Sequence, residues 1–282
     1  MAVGTTRGKR KLGALMEGYL AQSGIKADKV IKEVRTSRST WNRMIAGEAR
    51  PRWATFIAIL AVMEVGEEDR KRAVALWEVA DDEAAPIEHA ASLAKSYLRF
   101  RRDETEAVTE RSVDTVLIPG MLQTPEYALA LAIGNRFLLP NENWEETAAP
   151  ERRDRQGLLR REPEPLVVHA LIDEAALRRE IGGPETMHAQ WDRLLTASKL
   201  PNVTIQAIQN GAGAYGALSG TLTIFDFPDD LGAAYVDSLI GLSPVEDADG
   251  VARFRAVWDD AVGRALSVEE TVDFIRELRS EA

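Results

Sequence analysis

The first 80 residues carry hydrophobic side chains at the spacing of short amphipathic helices. The first such run ends at Gly24, and two others cover residues 53–65 and 67–80. Residues 26–52, between them, contain two shorter runs separated by polar positions. The pattern therefore predicts five short helices packed into one all-α domain, which we place at residues 1–82.

Residues 26–52 have the pattern of a helix-turn-helix unit, two short helices joined by a tight turn. Val30, Ile31 and Val34 lie on one face of the first helix because they are spaced i, i+1 and i+4. Ser37 follows this helix, and its hydroxyl is suited to accept a hydrogen bond from a free backbone N–H of the next one. A second helix is therefore expected to start at Ser37.

The second helix, over residues 37–46, is expected to enter the major groove of DNA as a recognition helix. Trp41, Met44 and Ile45 form its apolar side, and Gly47 supplies a left-handed stop. Its outward side carries the polar and basic types that contact base edges and phosphates. An exposed helix with incidental charge has the same periodicity and is the alternative. The residues predicted to contact bases or neighbouring phosphates are Arg38, Ser39, Thr40, Asn42 and Arg43.

Basic residues on both sides of this helix are predicted to hold the DNA backbone and to set the salt dependence of binding. These residues are Lys26, Lys29, Arg50 and Arg52. Residues 1–10 are polar and predict a disordered or partly ordered arm. Its cations either contact phosphate or belong to a solvated tail, and the sequence leaves both interpretations open. They are Arg7, Lys9, Arg10 and Lys11.

Charge is distributed unevenly along the chain, whose net charge is −10. Residues 1–80 hold 15 Lys and Arg against 9 Asp and Glu, a balance of +6, whereas the remaining 202 residues have a balance of −16. A basic N-terminal part on an acidic body is the asymmetry expected when only the first part contacts DNA.

Composition limits the chemistry that the chain can perform. It has no cysteine, so disulfides, thiolate nucleophiles and cysteine metal sites are excluded. The three histidines, His89, His169 and His188, are far apart in sequence, and we expect neither a metal site nor a cofactor. No histidine or serine has the partners of a catalytic base or nucleophile, so we predict that the protein is not an enzyme.

Hydropathy indicates a cytoplasmic protein. No apolar run approaches the roughly 20 residues of a membrane-spanning helix. The N-terminus lacks the apolar segment of a secretory signal, and the absence of cysteine fits a reducing compartment.

Residues 83–282 are predicted to form an α+β domain, separated from the first by the charged segment 81–86. We expect a roughly four-stranded, mostly antiparallel sheet because the connections look too short for parallel crossovers. Strands are expected over residues 166–172, 203–208, 221–227 and 233–240. Helices are expected over residues 87–113, 144–161, 185–198, 251–266 and 268–278. Ser267 is expected to open the last of these, and Thr124 and Asp173 to open two others.

A glycine motif in this domain has two interpretations. Gly211, Gly213 and Gly216 match G-x-G-x-x-G, the pattern of a dinucleotide site. Such a site needs a helix after the glycines, whereas the run that follows here alternates like a strand. We interpret the motif as a flexible hairpin connection, able as a mobile loop to close over a ligand or partner.

Other polar groups are also ambiguous. Asp173 and Glu174 follow a strand, and we favour helix capping over a general acid and base because adjacent side chains diverge. Pro119 and Gly120 form either a structural corner, which we favour, or the entry to a pocket. A basic group either binds an anion or forms surface salt bridges, the interpretation we favour; it consists of Arg152, Arg153, Arg155 and Gln156.

Two sets of motifs resemble known regulators. The stretch TSRSTWNRMIAGEARPRWATFIAIL resembles the DNA-binding domain of XRE (Cro/C1-type) proteins, although that family usually has a small residue where Ile31 stands and glycine where Arg35 stands. The second set occurs in the order and spacing of the DUF5753 (Scr1-type) domain of actinobacterial regulators. It consists of LIPGMLQTPEYA, RRDRQ, LIDEAALRREIGG, LPNVTIQAI and RALSVEETVDFI.

The resemblance implies a five-helix, lambda-repressor-like head followed by a regulatory, dimerisation or partner-binding domain. It also implies a small DUF397-type partner protein in an antitoxin-like pairing. One such head buries too little surface for tight specific binding, so we expect a homodimer. The leading hypothesis is a sequence-specific transcriptional regulator whose C-terminal domain dimerises and senses a partner or ligand. The alternative is a protein-interaction module with a degenerate helix-turn-helix.

Overall fold

The computed structural model of the 282-residue chain separates into two compact units, Met1–Pro86 and Ile87–Ala282, hereafter the N-terminal and C-terminal units. The charged segment 81–86, proposed above as the domain boundary, lies outside the described residues. Within the described ranges, every helix is too short or too polar to span a lipid bilayer. The structure describes residues 7–80, 87, 93–134, 144–228, 230–238 and 241–281.

The described residues of the N-terminal unit form five helices, the number that the sequence predicts. They are α1 (Arg7–Ser23), α2 (Ala27–Val34), α3 (Arg38–Ile45), α4 (Trp53–Val62) and α5 (Glu67–Val79). Helix α4 ends earlier than predicted because Glu64 already takes a left-handed φ of 54°, two positions before Gly66.

Of the arm predicted to be disordered or partly ordered, residues 7–10 are ordered and form the first turn of α1. Arg7, Lys9 and Arg10 are buried. The reason is close backbone packing, because a Cβ atom at Gly47 would lie only 2.6 Å from the Cα of Arg10. The part of the predicted arm before Arg7 lies outside the described residues.

One hydrophobic core joins the five helices, and each of them contributes at least one fully buried side chain. Trp41 of α3 is a core residue with 5% of its surface exposed, so it is not placed to stack on a base. The buried core residues include Leu12, Met16, Val30, Trp41, Met44, Phe56, Ile59, Leu60 and Ala73.

A mixed sheet of six strands organises the described residues of the C-terminal unit. The strands are β1 (Thr109–Asp114), β2 (Val167–Asp173), β3 (Val203–Ile208), β4 (Thr221–Phe227), β5 (Asp230–Asp237) and β6 (Ser243–Val245). Their order across the sheet is β3-β2-β1-β4-β5-β6. β1, β2 and β3 are parallel, whereas β4, β5 and β6 continue the sheet from β1 in antiparallel pairs.

Helices cover both faces of this sheet. On the face that carries Phe225, the helices α6, α7, α10 and α12 contribute side chains to one hydrophobic core. The opposite face, which carries Ile224, packs against Trp258 of α11. The described helices of this unit are α6 (Lys95–Glu106), α7 (Pro125–Gly134), α8 (Trp144–Gly157), α9 (Glu174–Arg178), α10 (Pro184–Ala197), α11 (Ala248–Val262) and α12 (Val268–Glu281).

The expectation of about four mostly antiparallel strands is wrong. All of β1 except Asp114 falls in the helix expected over residues 87–113, because its many polar residues continue the charged pattern of α6. The connections from β1 to β2 and from β2 to β3 contain helices, which supply the crossovers that parallel pairing requires. Residues 88–92 of that expected helix lie outside the described residues.

The glycine connection joins β3 to β4, and β2 and β1 lie between these strands in the sheet. It is therefore a crossover between separate strands, and its interpretation as a hairpin is wrong. The motif leads into strand β4, as expected, where a dinucleotide site would need a helix.

Three predicted helix caps are confirmed. Thr124, Asp173 and Ser267 each accept a hydrogen bond from a backbone N–H in the first turn of the following helix, at 3.2, 2.8 and 3.2 Å. Each cap satisfies one of the donors that a helix leaves unpaired at its start.

Gly13→Ala is expected to destabilise the N-terminal unit, because an added Cβ would lie 2.7 Å from the carbonyl oxygen of Met44 at the end of α3. Overpacking of this kind costs about 1–3 kcal/mol. Gly18→Ala, at an open position of the same helix, should instead stabilise the unit by roughly 0.5–1 kcal/mol. Thermal denaturation of both variants measures the difference, and equal midpoints would contradict the close contact of α1 with α3.

Candidate nucleic-acid interface

One residue in a left-handed conformation sets the turn between α2 and α3. Arg35 has φ 56° and ψ 40°, and its backbone N–H donates to the carbonyl oxygens of Ile31 and Lys32. The N–H of Thr36 also donates to Ile31, at 3.1 Å. Glycine adopts this conformation most readily, so Arg35 forms the turn that a glycine would give, with some local strain.

Hydrogen bonds and turn geometry at both ends of α3, together with its buried apolar side, fix the direction of this helix. At its start, Ser37 Oγ accepts a hydrogen bond from the N–H of Thr40 at 3.0 Å, which confirms the predicted N-cap. Gly47 takes a φ of 66°, the predicted left-handed stop. Trp41 and Met44 are buried beneath the helix, so its opposite side faces solvent.

All five residues predicted to contact bases or neighbouring phosphates are exposed along α3. Thr40 differs from the others, because its Oγ1 lies 2.8 Å from Ser37 Oγ and its hydroxyl belongs to the cap. Ser39 and Asn42 offer side chains with both donor and acceptor atoms. Arg38 and Arg43 add charge near the two ends of the helix.

Both arginines of α3 have carboxylate neighbours. Arg38 forms an ion pair with Asp28 of α2, and Arg43 Nε lies 3.8 Å from the carboxylate of Glu48. All four side chains are well exposed, and such surface pairs contribute only about 0–1 kcal/mol. A DNA phosphate can therefore replace either carboxylate at small cost.

The four predicted backbone-contacting residues occupy different environments. Lys26 and Arg52 are exposed immediately before α2 and α4, and Lys29 is exposed in the first turn of α2. Arg50 is half-buried, since its guanidinium group lies 4.2 Å from the Trp77 ring centroid and donates to the Trp77 carbonyl at 3.2 Å. Arg50 therefore links the segment after α3 to α5, a role that the sequence pattern does not indicate.

The sequence pattern also misses Asp28 and Gly13. Asp28 pairs with Arg38 and so links the starts of α2 and α3. Gly13 allows α1 to approach the end of α3. Both contacts join different helices, so periodicity within one helix gives no signal for them.

Family models match both parts of the chain. One described as a helix-turn-helix domain matches residues 11–73, and one described as a domain of unknown function, DUF5753, matches residues 97–277. The chain belongs to the DUF5753 family. Comparisons with curated proteins and with solved structures found no match. The helix-turn-helix match includes all of α2 and α3 and indicates DNA binding and regulation.

Within the DUF5753 domain, ion pairs join α8 to α6 in the interior. Arg155 donates from Nε and Nη2 to Glu104, at 2.9 and 2.5 Å. Arg101 Nε lies 2.8 Å from Glu151, and its Nη2 donates to Asp154 at 2.6 Å. Burial alone raises the pKa of Glu151, but the surrounding arginines outweigh it and hold that pKa at about 2. The expectation of surface salt bridges is therefore wrong, because these pairs are buried.

The other members of the predicted basic group divide between interior and surface. Arg152 donates from Nε to the side chain of Gln123 at 2.8 Å and pairs with Glu151, while Gln156 donates to the Gln123 carbonyl at 2.7 Å. Arg153 is exposed. The buried arginines already have carboxylate partners, which disfavours the anion-binding alternative.

Asp173 and Glu174 have structural roles. Asp173 caps α9 and accepts a hydrogen bond from the hydroxyl of Tyr215 at 2.7 Å, which anchors the glycine connection. Glu174 accepts from the N–H of Asn210 at 2.9 Å and pairs with Arg178. Elsewhere in the described ranges, no three His, Asp or Glu side chains converge as a metal site would require.

Ser37→Ala is expected to destabilise the N-terminal unit by about 1 kcal/mol, because the substitution removes the acceptor at the start of α3. Ser39→Ala is the matched control, since the Ser39 hydroxyl is exposed and does not belong to the cap. Thermal denaturation should lower the midpoint for the first variant alone. Identical midpoints for the two variants would show that the cap does not hold this end of α3.

Proposed function

We propose that the chain is a sequence-specific transcriptional regulator of the XRE type that inserts α3 into the major groove of DNA. One observation carries the proposal: a capped helix, anchored on Trp41 and Met44, presents an uninterrupted polar side to solvent. The matching helix-turn-helix model supports it. The actinobacterial origin that the sequence resemblance implies stays a prediction.

The exposed residues of α3 divide into two groups by chemistry. Arg38 and Arg43 suit guanine edges or phosphates, whereas Asn42 suits adenine and Ser39 contacts either type of base. Lys26, Lys29 and Arg52 suit the backbone phosphates and carry the salt dependence. Arg50 acts by holding the segment after α3 on α5, and Thr40 by holding the cap.

The same proposal assigns assembly to the C-terminal unit. We infer a homodimer on a repeated operator, because one helix-turn-helix domain covers too few base pairs for tight binding. The net negative charge of the C-terminal unit repels it from the phosphates of DNA. A small DUF397-type partner in an antitoxin-like pairing, a cytoplasmic location and the lack of enzymatic activity complete the proposal.

Arg38→Ala and Arg43→Ala should each weaken binding by about 1–3 kcal/mol if the arginine contacts a base. The duplex is first obtained by selection from random sequences with the full-length chain. Affinity is then measured by fluorescence anisotropy at several salt concentrations. A variant that loses a phosphate contact instead weakens all sequences alike and lowers the salt slope by about 1.

Arg70→Ala is the matched control for these variants, because Arg70 is an exposed arginine of α5 outside the predicted interface. Its affinity should equal that of the parent chain. If neither α3 substitution changes affinity, α3 is not the recognition helix. If selection enriches no sequence, the chain fits the alternative of a protein-interaction module with a degenerate helix-turn-helix.

Asp28→Asn is expected to strengthen DNA binding several-fold at low salt. The substitution removes a carboxylate that competes with phosphate for Arg38, and it raises the positive charge at the start of α2. Glu17→Gln, at an exposed acid of α1 outside the predicted interface, controls for a general change in net charge. Equal gains from both variants would indicate a field effect and exclude a specific role of the Asp28–Arg38 pair.

A further inference from the structure

The DUF5753 domain has a partly open cavity of about 230 Å³ between its sheet and the helices α6, α7 and α8. The floor consists of β1, β4 and β5, whose side chains here are unusually polar for the interior face of a sheet. Glu110, Ser112 and Asp114 alternate along β1 and therefore share this face. All of the cavity lies within the C-terminal unit.

Glu110 is the most buried carboxylate of this face, and one of its two oxygens has no hydrogen-bond partner. Its residue surface is 3% exposed, and its Oε2 atom is buried with no hydrogen-bond donor among the described residues. A buried acceptor without a donor costs free energy, and native structures rarely retain one without a reason such as a bound group. The side chain lines the cavity, so a ligand there can supply the donor.

Other hydrogen-bond acceptors line the floor of the cavity between Glu110 and its open end, the rim. Asp114 lies on the same face of β1, and Asp237 at the end of β5 is exposed at the rim. The hydroxyl of Ser112 donates to Asp114 at 2.6 Å, and Thr223 stands opposite Ser112 on β4. Asp114 lies four positions after Glu110 along the strand, a distance of about 13 Å between Cα atoms.

The arginines across the cavity form their ion pairs with other carboxylates and offset the charge of this floor only in part. Arg155 is paired with Glu104, and Arg152 with Glu151. Each roof arginine thus has its own carboxylate partner, and Arg155 offsets the charges of Glu110 and Asp114 only from a distance, without an ion pair to either among the described residues. A site with this balance attracts a positively charged ligand.

Burial raises the pKa of Glu110 to about 8, with Glu104 and Asp114 adding to the shift and Arg155 and Arg101 opposing it. Burial likewise raises the pKa of Asp114 to about 7, and Asp237 adds to it, while Ser112 and Arg155 oppose it. Both floor carboxylates thus resist ionisation until a positive charge approaches.

We propose that this cavity binds a linear aliphatic amine with two or more ammonium groups, which donate to Glu110 in the depth and to Asp114 nearer the rim. The spacing of the two acceptors matches a chain of methylene groups between cationic ends. Leu117, Ile118 and Leu131 line the walls and contact that chain. A metal ion fits less well, since no three carboxylates among the described residues converge.

Ligand binding at this cavity can be measured without DNA, so the result does not depend on the proposed DNA recognition. The test is calorimetric titration of spermidine into the full-length chain at about physiological salt. A saturable, one-to-one isotherm is expected. The diol and the dicarboxylate of similar length, 1,8-octanediol and suberate, should give no binding, because they lack the cationic donors.

Glu110→Gln and Asp114→Asn should each weaken spermidine binding at least tenfold, because they keep the side-chain shape and remove the charge. Glu180→Gln, an exposed acid outside the cavity, is the matched control and should leave the affinity unchanged. Thermal denaturation establishes that the variants fold. Glu110→Gln is expected to unfold at the same or a higher temperature at pH 8, since it removes a carboxylate whose charged form is disfavoured by burial.

The pH dependence supplies a second readout. A cation favours the ionised carboxylates, so spermidine binding should release protons and weaken as the pH falls from 8 to 6. The released protons appear as a binding enthalpy that depends on the buffer, and Glu110→Gln should reduce their number. Absence of a saturable isotherm, or equal affinity for the parent chain and Glu110→Gln, would overturn the proposal. If Glu180→Gln weakened spermidine binding as much as Glu110→Gln does, the binding would be nonspecific attraction to an acidic surface.

Discussion

The orientation of the recognition helix depends on one close backbone approach, where α1 meets the end of α3 at Gly13. A side chain at this position would lie 2.7 Å from the carbonyl of Met44, so the two helices can meet this closely only at a glycine. The C-terminal unit joins α6 to α8 by different means, with the buried pairs of Arg101 and Arg155. Removing one member of such a pair costs about 3–5 kcal/mol because its partner remains charged in the interior.

Local signals in the sequence give much of the fold. Ser37, Thr124, Asp173 and Ser267 cap the helices for which their hydroxyl or carboxylate groups are suited. The bounds of β3 and β4 agree with the predicted strands, since alternating Val, Ile, Thr and Phe residues leave little ambiguity. These features depend on neighbours within a few positions, so they are accessible without a structure.

Features that depend on distant neighbours are not accessible in this way. β1 has the composition of a helix surface, and only its place between β2 and β4 makes it a central strand. Glu110 therefore looks like an ordinary exposed acid in the sequence, although it is buried in the C-terminal unit. The buried roles of Arg155 and Arg50 are hidden for the same reason, because arginine has no recognisable signature for packing against a ring or a remote carboxylate.

The central place of β1 also means that the sheet is completed only late in synthesis, because the neighbouring strand β4 is far away in sequence. Arg111 of β1 pairs with Asp226 of β4, and 115 positions separate them. Domains form from the N-terminus as the ribosome extends the chain. The helices of the N-terminal unit follow one another closely in sequence, and such local contacts form fast. A complete helix-turn-helix is therefore present while the DUF5753 sheet still has an open edge at β1, the state in which a strand pairs most easily with a wrong partner.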